Sequence, residues 1–480
     1  INPILFSSQR LRGRTMKNNR SMSYYPPLGL CYIANMLEKN NIKVNIIDRH
    51  AVITKNNDNL EVVNEITRRE LIKINPAIVG ITSTTATFYD IKTTLLSLIK
   101  GLDKDIKIVL GGSHAAAMPE EILSQHEDIE VICRGEGEIT LTELAKGVKY
   151  ADIAGISYRN GSKIVANVNR EPYPDIDDFC FPARHLVDMK FYLQPNPVIM
   201  HGLFMRATTI FTSRGCVYNC SFCSGKVALG RKVRYQSTDL VIEEIERLVK
   251  DYQVEGLYFA DDMFDANKAR AMEICEKLMA RGLHKKVCIY PQLRANHIDK
   301  ERLEIYKQAG VRRVDVGFES GSQKILNIMN KKTTVAQNYQ AAKLLHEVGL
   351  QFQANIMVGI PGEDVADIQQ TVKMMQEIKP DWINFGEFLP LPGSKLYDDL
   401  NKQKLITTEI LEYSEPYNFT AIDDTTFDQL MKTIRKDIVL PLRIKSYLLS
   451  NIRRPLAFIY ILKLLMEALQ NKISSYISPN

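Results

Sequence analysis

The chain has 480 residues, 45% of them hydrophobic and 25% charged, as expected of a globular protein with two or three domains. Its net charge of +6 is concentrated at the C-terminus, since residues 431–480 carry +7 and the remainder carries −1, which argues against a nucleic-acid-binding body. Of eight cysteines, five are scattered singly, which indicates a reducing compartment and not a disulfide framework.

The first 150 residues alternate between short apolar runs and helical patterns. Residues 30–39 have apolar side chains at helical spacing. We predict strands at residues 1–6, 44–48, 77–83, 106–112 and 130–138. Buried strands that alternate with helices are typical of a doubly wound parallel sheet in a Rossmann-like domain. No G-x-G-x-x-G motif follows the first strand, so a dinucleotide site is disfavoured.

Small and polar residues follow the predicted strands of this N-terminal domain. Parallel sheets bind ligands beyond the carboxyl ends of their strands. The residues at those ends are Asp48, Ser83, Thr84, Thr85, Gly111, Gly112, Ser113, His114, Gly135, Glu136, Gly137 and Glu138. We therefore expect a ligand site along this edge.

A second run of β/α units follows a segment rich in Asp, Pro and aromatic residues. We predict six strands at residues 208–213, 254–260, 287–294, 311–319, 352–359 and 381–388. Six units predict a partial or complete TIM-type β/α barrel with its chemistry at the carboxyl ends of the strands. We divide the chain into an N-terminal domain (1–150), a connector (151–205), a barrel (206–400) and a helical C-terminal region (401–480).

Three closely spaced cysteines, Cys216, Cys220 and Cys223, follow the first predicted barrel strand in the stretch "TSRGCVYNCSFCSG". A structural zinc site needs four ligands, and no Cys or His pair at suitable spacing follows. Iron–sulfur clusters are bound by thiolates, usually four. Three thiolates on a four-iron cluster leave one iron open, as a catalytic metal site requires. Three unrelated buried thiols are the alternative interpretation.

The stretch "CVYNCSFC" resembles the Cys-x3-Cys-x-aromatic-Cys signature of radical S-adenosylmethionine (SAM) enzymes. Further motifs resemble the subfamily that carries a cobalamin-binding domain before the barrel. They are "YPPLGLCYIANMLEKNNIKVNIID", "VLGGSHAAAMPEEIL", "VICRGEGEITLTEL", "YFADDMF", "VGFESGSQKIL", "MVGIPGE" and "FLPLPGSKLYD". In this order the motifs cover most of the chain. Val217 departs from the family, which often has Pro there, and we expect little consequence.

The resemblance implies a role for individual residues of the barrel. Cys216, Cys220 and Cys223 would ligate a [4Fe-4S] cluster, and SAM would chelate the fourth iron. The implied SAM-binding residues are Phe222, Asp261, Asp262, Arg294, Glu319, Gly359, Ile360 and Pro361. Phe222 would contact the adenine, the two aspartates the methionine amino group, and Arg294 the SAM carboxylate. Asp261, Asp262 and Glu319 could instead cap helices, and Arg294 could be an ordinary surface ion pair.

The resemblance also implies cobalamin contacts in the N-terminal domain. The implied contacts are Ser83, Thr84, Thr85, Gly111, Gly112, His114 and Glu136. Glu136 and Glu138 could equally be turn and cap residues. The run Asp48-Arg49-His50 is similar to the start of the Asp-x-His-x-x-Gly pattern of proteins that ligate cobalamin with His, but Ile53 replaces the Gly. We interpret His50 as a loop residue, and expect no protein His below the corrin.

The implied activity is methylation of an unactivated carbon through a 5′-deoxyadenosyl radical and methylcobalamin, which a second SAM would remethylate. A cobalamin-dependent cyclase or ring-rearranging enzyme without net methyl transfer is the alternative. A non-enzymatic iron–sulfur carrier or sensor would leave the two ligand-binding domains unexplained. The implied partners are a small-molecule or lipid-like substrate and a reductant such as flavodoxin or ferredoxin.

The C-terminal segment 451–473 places apolar residues on one helix face between basic ends. Such a pattern is typical either of a helix packed on the barrel or of one in a membrane interface. Because Lys and Arg near an anionic surface each add about 1 kcal/mol, we predict weak membrane contact. No apolar run reaches the roughly 18 residues of a membrane span, and we see no signal peptide. We expect a cytoplasmic, at most membrane-peripheral, protein.

Overall fold

The structure is a computed structural model that describes residues 1–5, 25–56, 58–407 and 417–451. The predicted membrane-contacting segment lies almost wholly outside these residues. Within the described part of the chain, no helix is both long and apolar enough to cross a bilayer.

A five-stranded sheet with the order β1-β2-β3-β4-β5 forms the N-terminal domain. Its strands are β1 (Ile78–Thr82), β2 (Lys107–Gly111), β3 (Ile129–Cys133), β4 (Ile156–Asn160) and β5 (Lys163–Ala166). The first three strands are parallel, whereas β4 and β5 form an antiparallel hairpin on β3. The sheet is therefore mixed, and its hairpin lies within the segment that we predicted to be a connector.

The two strands predicted at residues 1–6 and 44–48 do not form a ladder. A single parallel bridge joins Asn2 to Asp48. The Thr82 amide donates to the Ile1 carbonyl at 3.2 Å, so the chain start extends the sheet beside β1 without becoming a regular strand.

Helices cover this sheet and connect its strands. They are α1 (Leu28–Lys39), α2 (Arg49–Lys55), α3 (Leu60–Ile74), α4 (Phe88–Asp90), α5 (Leu96–Lys100), α6 (Ser113–Ala117), α7 (Pro119–Gln125) and α8 (Gly137–Ala145), with a π-helical turn (Ile91–Leu95) between α4 and α5. Apolar side chains from β1, β2 and the α4–α5 segment form one continuous core beneath the sheet.

The barrel domain contains all six predicted strands in one parallel sheet. They are β6 (Ala207–Ile210), β9 (Gly256–Phe259), β10 (Cys288–Arg294), β11 (Arg313–Glu319), β12 (Gln351–Val358) and β13 (Trp382–Glu387). The order is β13-β12-β11-β10-β9-β6, and in the described residues the edge strands β6 and β13 do not pair. The barrel is therefore partial, which is one of the two forms, partial or complete, that the sequence predicted.

Helices flank these strands along the chain. They are α9 (Met189–Tyr192), α10 (Gly225–Leu229), α11 (Thr238–Tyr252), α12 (Lys268–Ala280), α13 (Lys300–Gln308), α14 (Gln323–Ile328), α15 (Val335–Val348), α16 (Val365–Ile378) and α17 (Lys395–Lys402). Side chains fix several of their starts: Thr334 with Gln337, and Asp364 with Asp367, form reciprocal capping boxes. Helices α11, α12, α13, α15 and α16 bury apolar side chains in one core cluster with the strands, whereas α14 and α17 contribute to a smaller cluster.

The C-terminal helices are α18 (Asp424–Ile434) and α19 (Leu440–Asn451), separated by a π-helical turn (Arg435–Val439), and both this turn and α19 contact β13. Arg443 donates to the Ile383 carbonyl at 3.1 Å and lies over the Trp382 ring. Arg435 forms an ion pair with Glu387 at 2.5 Å. Two of the basic residues that we counted toward a membrane surface therefore bind the barrel.

Candidate active site

The three cysteines lie on a loop that a short antiparallel ribbon closes at its base. The ribbon strands are β7 (Ser213–Arg214) and β8 (Arg234–Tyr235). Gly215 has φ +95°, and a Cβ there would come within 2.5 Å of the Lys232 carbonyl oxygen, so the turn out of β7 requires glycine. Ser221 anchors the loop, because its amide donates to the Met329 carbonyl at 2.8 Å and its hydroxyl to the Ile328 carbonyl at 2.7 Å.

The donor set of this loop fits an iron–sulfur cluster. Burial raises the pKa of Cys216 and of Cys223, and the Asp262 carboxylate raises both further. A bound cation would therefore be needed to hold these thiols as thiolates. In the described residues, no group of three or more His, Cys, Asp or Glu side chains is arranged for a metal ion. A cluster, in which each thiolate binds a different iron, spaces its ligands more widely than a single zinc ion does.

The two aspartates after β9 have different surroundings. Asp261 is fully buried and accepts hydrogen bonds from the Thr212 amide at 2.6 Å, the Thr212 hydroxyl at 2.5 Å and the Ser213 hydroxyl at 2.9 Å. Asp262 is exposed and faces the thiols. Asp261 thus fixes the strand end that leads into the cysteine loop, and only Asp262 is free to meet a ligand.

We expect Asp261→Asn to lower the stability of the protein and Asp262→Asn to weaken SAM binding. The Asp261 change leaves buried donors without their charged acceptor, which should lower the free energy of unfolding by about 3 kcal/mol and reduce cluster content. The Asp262 change should alter stability by less than about 0.5 kcal/mol and retain the cluster, but weaken SAM binding about 10-fold. Urea unfolding, iron analysis and equilibrium binding measure these effects. Equal SAM binding by wild type and the Asp262 variant would contradict the assignment.

Arg294 lies beside the cysteine loop. Its guanidinium stacks on the Tyr218 ring at 3.6 Å, and its Nη1 is 3.9 Å from the Cys220 sulfur. Its Nε donates to the Asn296 side chain at 3.0 Å, whereas its buried Nη2 has no hydrogen-bond partner in the described residues. This unsatisfied donor fits the SAM carboxylate that the family resemblance implies. The alternative of a surface ion pair does not describe this buried environment.

Sequence analysis missed the residues that support Arg294. The Tyr218 hydroxyl and the His297 Nε2 are hydrogen-bonded at 2.7 Å, and the His297 Nδ1 is 3.6 Å from the Asp265 carboxylate. A hydrogen bond to His297, which itself lies near the Asp265 carboxylate without a hydrogen bond to it, therefore holds the Tyr218 ring on which the guanidinium rests. The three residues are spread over 80 positions of the sequence, and no motif links them.

Glu319 ends β11 in a left-handed conformation, with φ +65°, beside a β-bulge. Its carboxylate binds the ammonium of Lys331 at 2.6 Å, and both side chains are about nine-tenths buried. A Cβ at Gly317 would lie 2.6 Å from the Glu319 oxygen and 2.8 Å from the Lys331 nitrogen. Strained backbone of this kind clusters at ligand sites. Glu319 does not cap the next helix, since Ser322 does so.

Gly359, Ile360 and Pro361 follow β12 on the side of Phe222, which packs against the Ile360 cluster. Both amides of Gly359 and Ile360 donate to one oxygen of the buried Glu363, at 2.6 and 3.2 Å. Burial raises the pKa of Glu363 to about 7. Glu363, which sequence analysis missed, therefore shapes the turn that we predict to contact the adenine.

The N-terminal domain contains a cavity of about 250 Å³ at the carboxyl ends of its strands. Two further cavities, of about 620 and 370 Å³, share walls with it. A Cβ at Gly29 or Gly135, which line this cavity, would meet no atom within 4 Å, so both glycines lie beside open space. Glycines and open space at the carboxyl ends of parallel strands are typical of a cofactor site, such as the one that cobalamin would occupy. On its other side the wall is formed by the barrel residues Phe211, Arg214, Ala228 and Leu229.

The predicted cobalamin contacts divide into two groups. Gly111, Gly112 and Glu136 line the cavity. The remaining residues, Ser83, Thr84, Thr85 and His114, are not part of its wall. Thr84 forms a capping box with Thr87, and the Thr85 hydroxyl is 3.2 Å from the His114 Nδ1. The role of all these residues in cofactor binding stays a prediction.

His114 should make stability depend on pH. Burial lowers its pKa from 6.5 to about 4, and its ring packs against Phe88. The unfolded chain therefore binds a proton below pH 6.5 that the folded chain does not, so stability is full above pH 6.5 and falls toward pH 4 by about 3 kcal/mol. Urea unfolding at pH 7 and pH 4.5 should show that His114→Gln removes part of this loss. The exposed His185→Gln serves as control, and equal losses in both variants would contradict the account.

His50 lies on α2 and is buried, so its interpretation as a loop residue is wrong. Its Nδ1 accepts the Leu5 amide at 3.2 Å. The neighbouring residues are structural: Asp48 caps α2, and Arg49 forms a fully buried ion pair with Asp90 at 2.8 Å. The walls of the three cavities described above do not include His50. That His50 does not ligate cobalt stays a prediction.

Comparison with known proteins identifies the class of protein. Residues 210–375 match the radical SAM superfamily, and residues 18–145 match the B12-binding domain. The chain therefore belongs to the cobalamin-binding radical SAM enzymes, whose cofactors are an iron–sulfur cluster, SAM and cobalamin.

Individual relatives extend this comparison. An uncharacterised methyltransferase of Pyrococcus horikoshii is 30% identical over 86% of both chains. The anaerobic magnesium-protoporphyrin IX monomethyl ester cyclase of Cereibacter sphaeroides is 30% identical over 83% of this chain and 63% of its own length. The structure of the radical SAM methyltransferase TsrM from Kitasatospora setae, with cobalamin and an iron–sulfur cluster bound, is similar in fold, with a TM-score of 0.66, 19% identity, and coverage of 79% of this chain and 75% of that one.

Proposed function

We propose that this enzyme transfers a methyl group to an unactivated carbon of a small or lipid-like molecule. The observation that carries the proposal is the shared cavity wall, in which glycines of the N-terminal domain face the flanks of the cysteine loop. When bound, the cluster with SAM would supply a hydrogen-abstracting radical, and cobalamin would supply the methyl group. A single chain would thus hold both reactive groups beside one substrate space.

In this proposal the chain's own residues bind and orient. Cys216, Cys220 and Cys223 would hold the cluster. Arg294 would fix the SAM carboxylate through its unpaired nitrogen, and Asp262 the amino group. Phe222 with the turn 359–361 would enclose the adenine, and Glu319 with Lys331 would position the ribose or amino end. The glycines of the N-terminal cavity would admit the corrin.

The cysteine loop is open to an external reductant. Val217 is 59% exposed and Cys223 is exposed. A small acidic electron carrier, such as a flavodoxin or ferredoxin, could approach the cluster here, and Arg231 and Lys232 lie exposed on the same loop. We also retain the proposals of a cytoplasmic location and of weak membrane contact through residues 451–480, which salt-dependent liposome binding of the full and truncated chains would test.

A cyclase function is the second candidate, because two relatives of 30% identity are cyclases. The two candidates can be separated by feeding wild-type and deletion strains methionine with a deuterated methyl group. The metabolites and lipids of the two strains are then compared by mass spectrometry. Methyl transfer predicts a compound that carries the labelled methyl and disappears in the deletion strain. Complementation with the Cys216→Ala gene should fail to restore it. Loss of a compound that never carries the label would favour cyclisation and contradict methylation.

A further inference from the structure

Four buried charged side chains, here called the interdomain ion network, join the N-terminal domain to the base of the cysteine loop. Arg214 binds Glu136 at 2.8 Å and Glu138 at 2.7 Å, and Arg234 binds the other oxygen of Glu136 at 2.6 Å. All four side chains are at least 89% buried. Both glutamates lie in the motif "VICRGEGEITLTEL", which gives no sign of their arginine partners.

Further contacts prevent a single side chain of the network from moving without the others. The Arg214 guanidinium lies between the Tyr32 and Phe179 rings, at 5.0 and 4.7 Å. Arg234 also donates to the Tyr173 carbonyl at 2.9 Å. Buried charges are stable only while each keeps its partners, so moving one member disturbs the others. The network therefore transmits displacement.

The two ends of the network lie at the two proposed cofactor sites. Glu136 and Glu138 alternate with Gly135 and Gly137, and all four residues line the cavity of the N-terminal domain. Arg214 lines the same cavity, pairs with Arg234 across the β7–β8 ribbon and precedes Cys216 by two residues. A ligand that fixes the 135–138 turn would therefore also fix the exit of β7 into the cysteine loop.

We propose that Arg214 is a positioning residue that couples occupancy of the N-terminal cavity to the geometry of the cysteine loop, so that cobalamin tightens SAM binding. This inference rests on the proposed function. Because coupling between two sites is reciprocal, SAM should tighten cobalamin binding by the same factor. As a consequence, SAM would bind mainly to protein that already holds the corrin, and less SAM would be cleaved without methyl transfer.

Equilibrium binding of SAM to the anaerobic, cluster-containing protein tests the coupling. With hydroxocobalamin present, wild type should bind SAM at least about 5-fold more tightly than without it, within the usual range of coupling energies. Glu138→Gln and Arg214→Gln should reduce this ratio to below about 2-fold while both cofactors still bind. The electron paramagnetic resonance spectrum of the reduced cluster with SAM should change on cobalamin addition in wild type only. Arg281→Gln, which alters an exposed ion pair with Glu246, is the matched control.

Each outcome decides the inference. An unchanged ratio in both network variants, or a wild-type ratio of one, would overturn it. If Arg214→Gln does not fold, Glu138→Gln decides, because it leaves Glu136 bound to both arginines. Failure of the proposed function itself is distinguishable, because wild type would then bind no cobalamin or assemble no cluster.

Discussion

Replacement of Cys216, Cys220 or Cys223 by alanine is expected to abolish the four-iron cluster. Each change removes one of three protein anchors, and the loop offers no neighbouring Cys or His as a substitute. After anaerobic reconstitution, iron content should fall from about four per chain to near zero. SAM cleavage should be lost with it, and iron and sulfide analysis with visible absorption measures the cluster directly.

The other five cysteines provide the controls for this experiment. Cys31, Cys133, Cys275 and Cys288 are buried, and Cys180 is half-buried. Cys275→Ala, on the buried face of α12, should cost only packing energy and leave the iron content unchanged. Normal iron content in the Cys216/Cys220/Cys223 triple variant would contradict the assignment.

Arg294→Gln is expected to weaken SAM binding about 10- to 100-fold while the cluster still assembles. The loss follows from removing hydrogen bonds between a buried guanidinium and a carboxylate, which contribute about 1.5–3 kcal/mol. Arg294→Lys should recover little of the affinity, because an ammonium cannot reproduce the two-pronged geometry or the stacking on Tyr218. Equilibrium dialysis with SAM measures the effect.

The matched control for Arg294 is the exposed Arg247→Gln on α11. It removes the same charge far from the cysteine loop in sequence and should leave SAM affinity unchanged. Unaltered SAM binding by Arg294→Gln would contradict the carboxylate contact, and loss of the cluster in that variant would assign Arg294 to loop stability instead.

The barrel strands were predictable because each contains a short apolar run and is followed along the chain by a helix. All six were predicted within a few residues. The β4–β5 hairpin was missed because it lies in a segment whose Asp, Pro and aromatic content indicated a connector. The segments 1–6 and 44–48 were predicted to be strands, but they meet only at one bridge. A regular strand needs a partner along its length, and the sequence of a single segment does not reveal one.

The cysteine ligand set is predicted from the spacing of Cys216, Cys220 and Cys223 together with the family resemblance, whereas the charge pairs around it have no such sequence signal. Arg214 and Glu136 are 78 residues apart, and no spacing rule connects them. The different roles of Asp261 and Asp262 had a detectable signal, because adjacent residues at a strand end point to opposite faces. Only one of them could face the barrel interior, although the sequence does not say which.

The products formed from SAM test the central claim most directly, and they require no knowledge of the substrate. Anaerobic protein with its cluster, cobalamin and a reductant should convert SAM to both 5′-deoxyadenosine and S-adenosylhomocysteine. The first product should be lost in Cys216→Ala, and the second should require cobalamin. Formation of 5′-deoxyadenosine without any cobalamin-dependent S-adenosylhomocysteine would contradict methyl transfer.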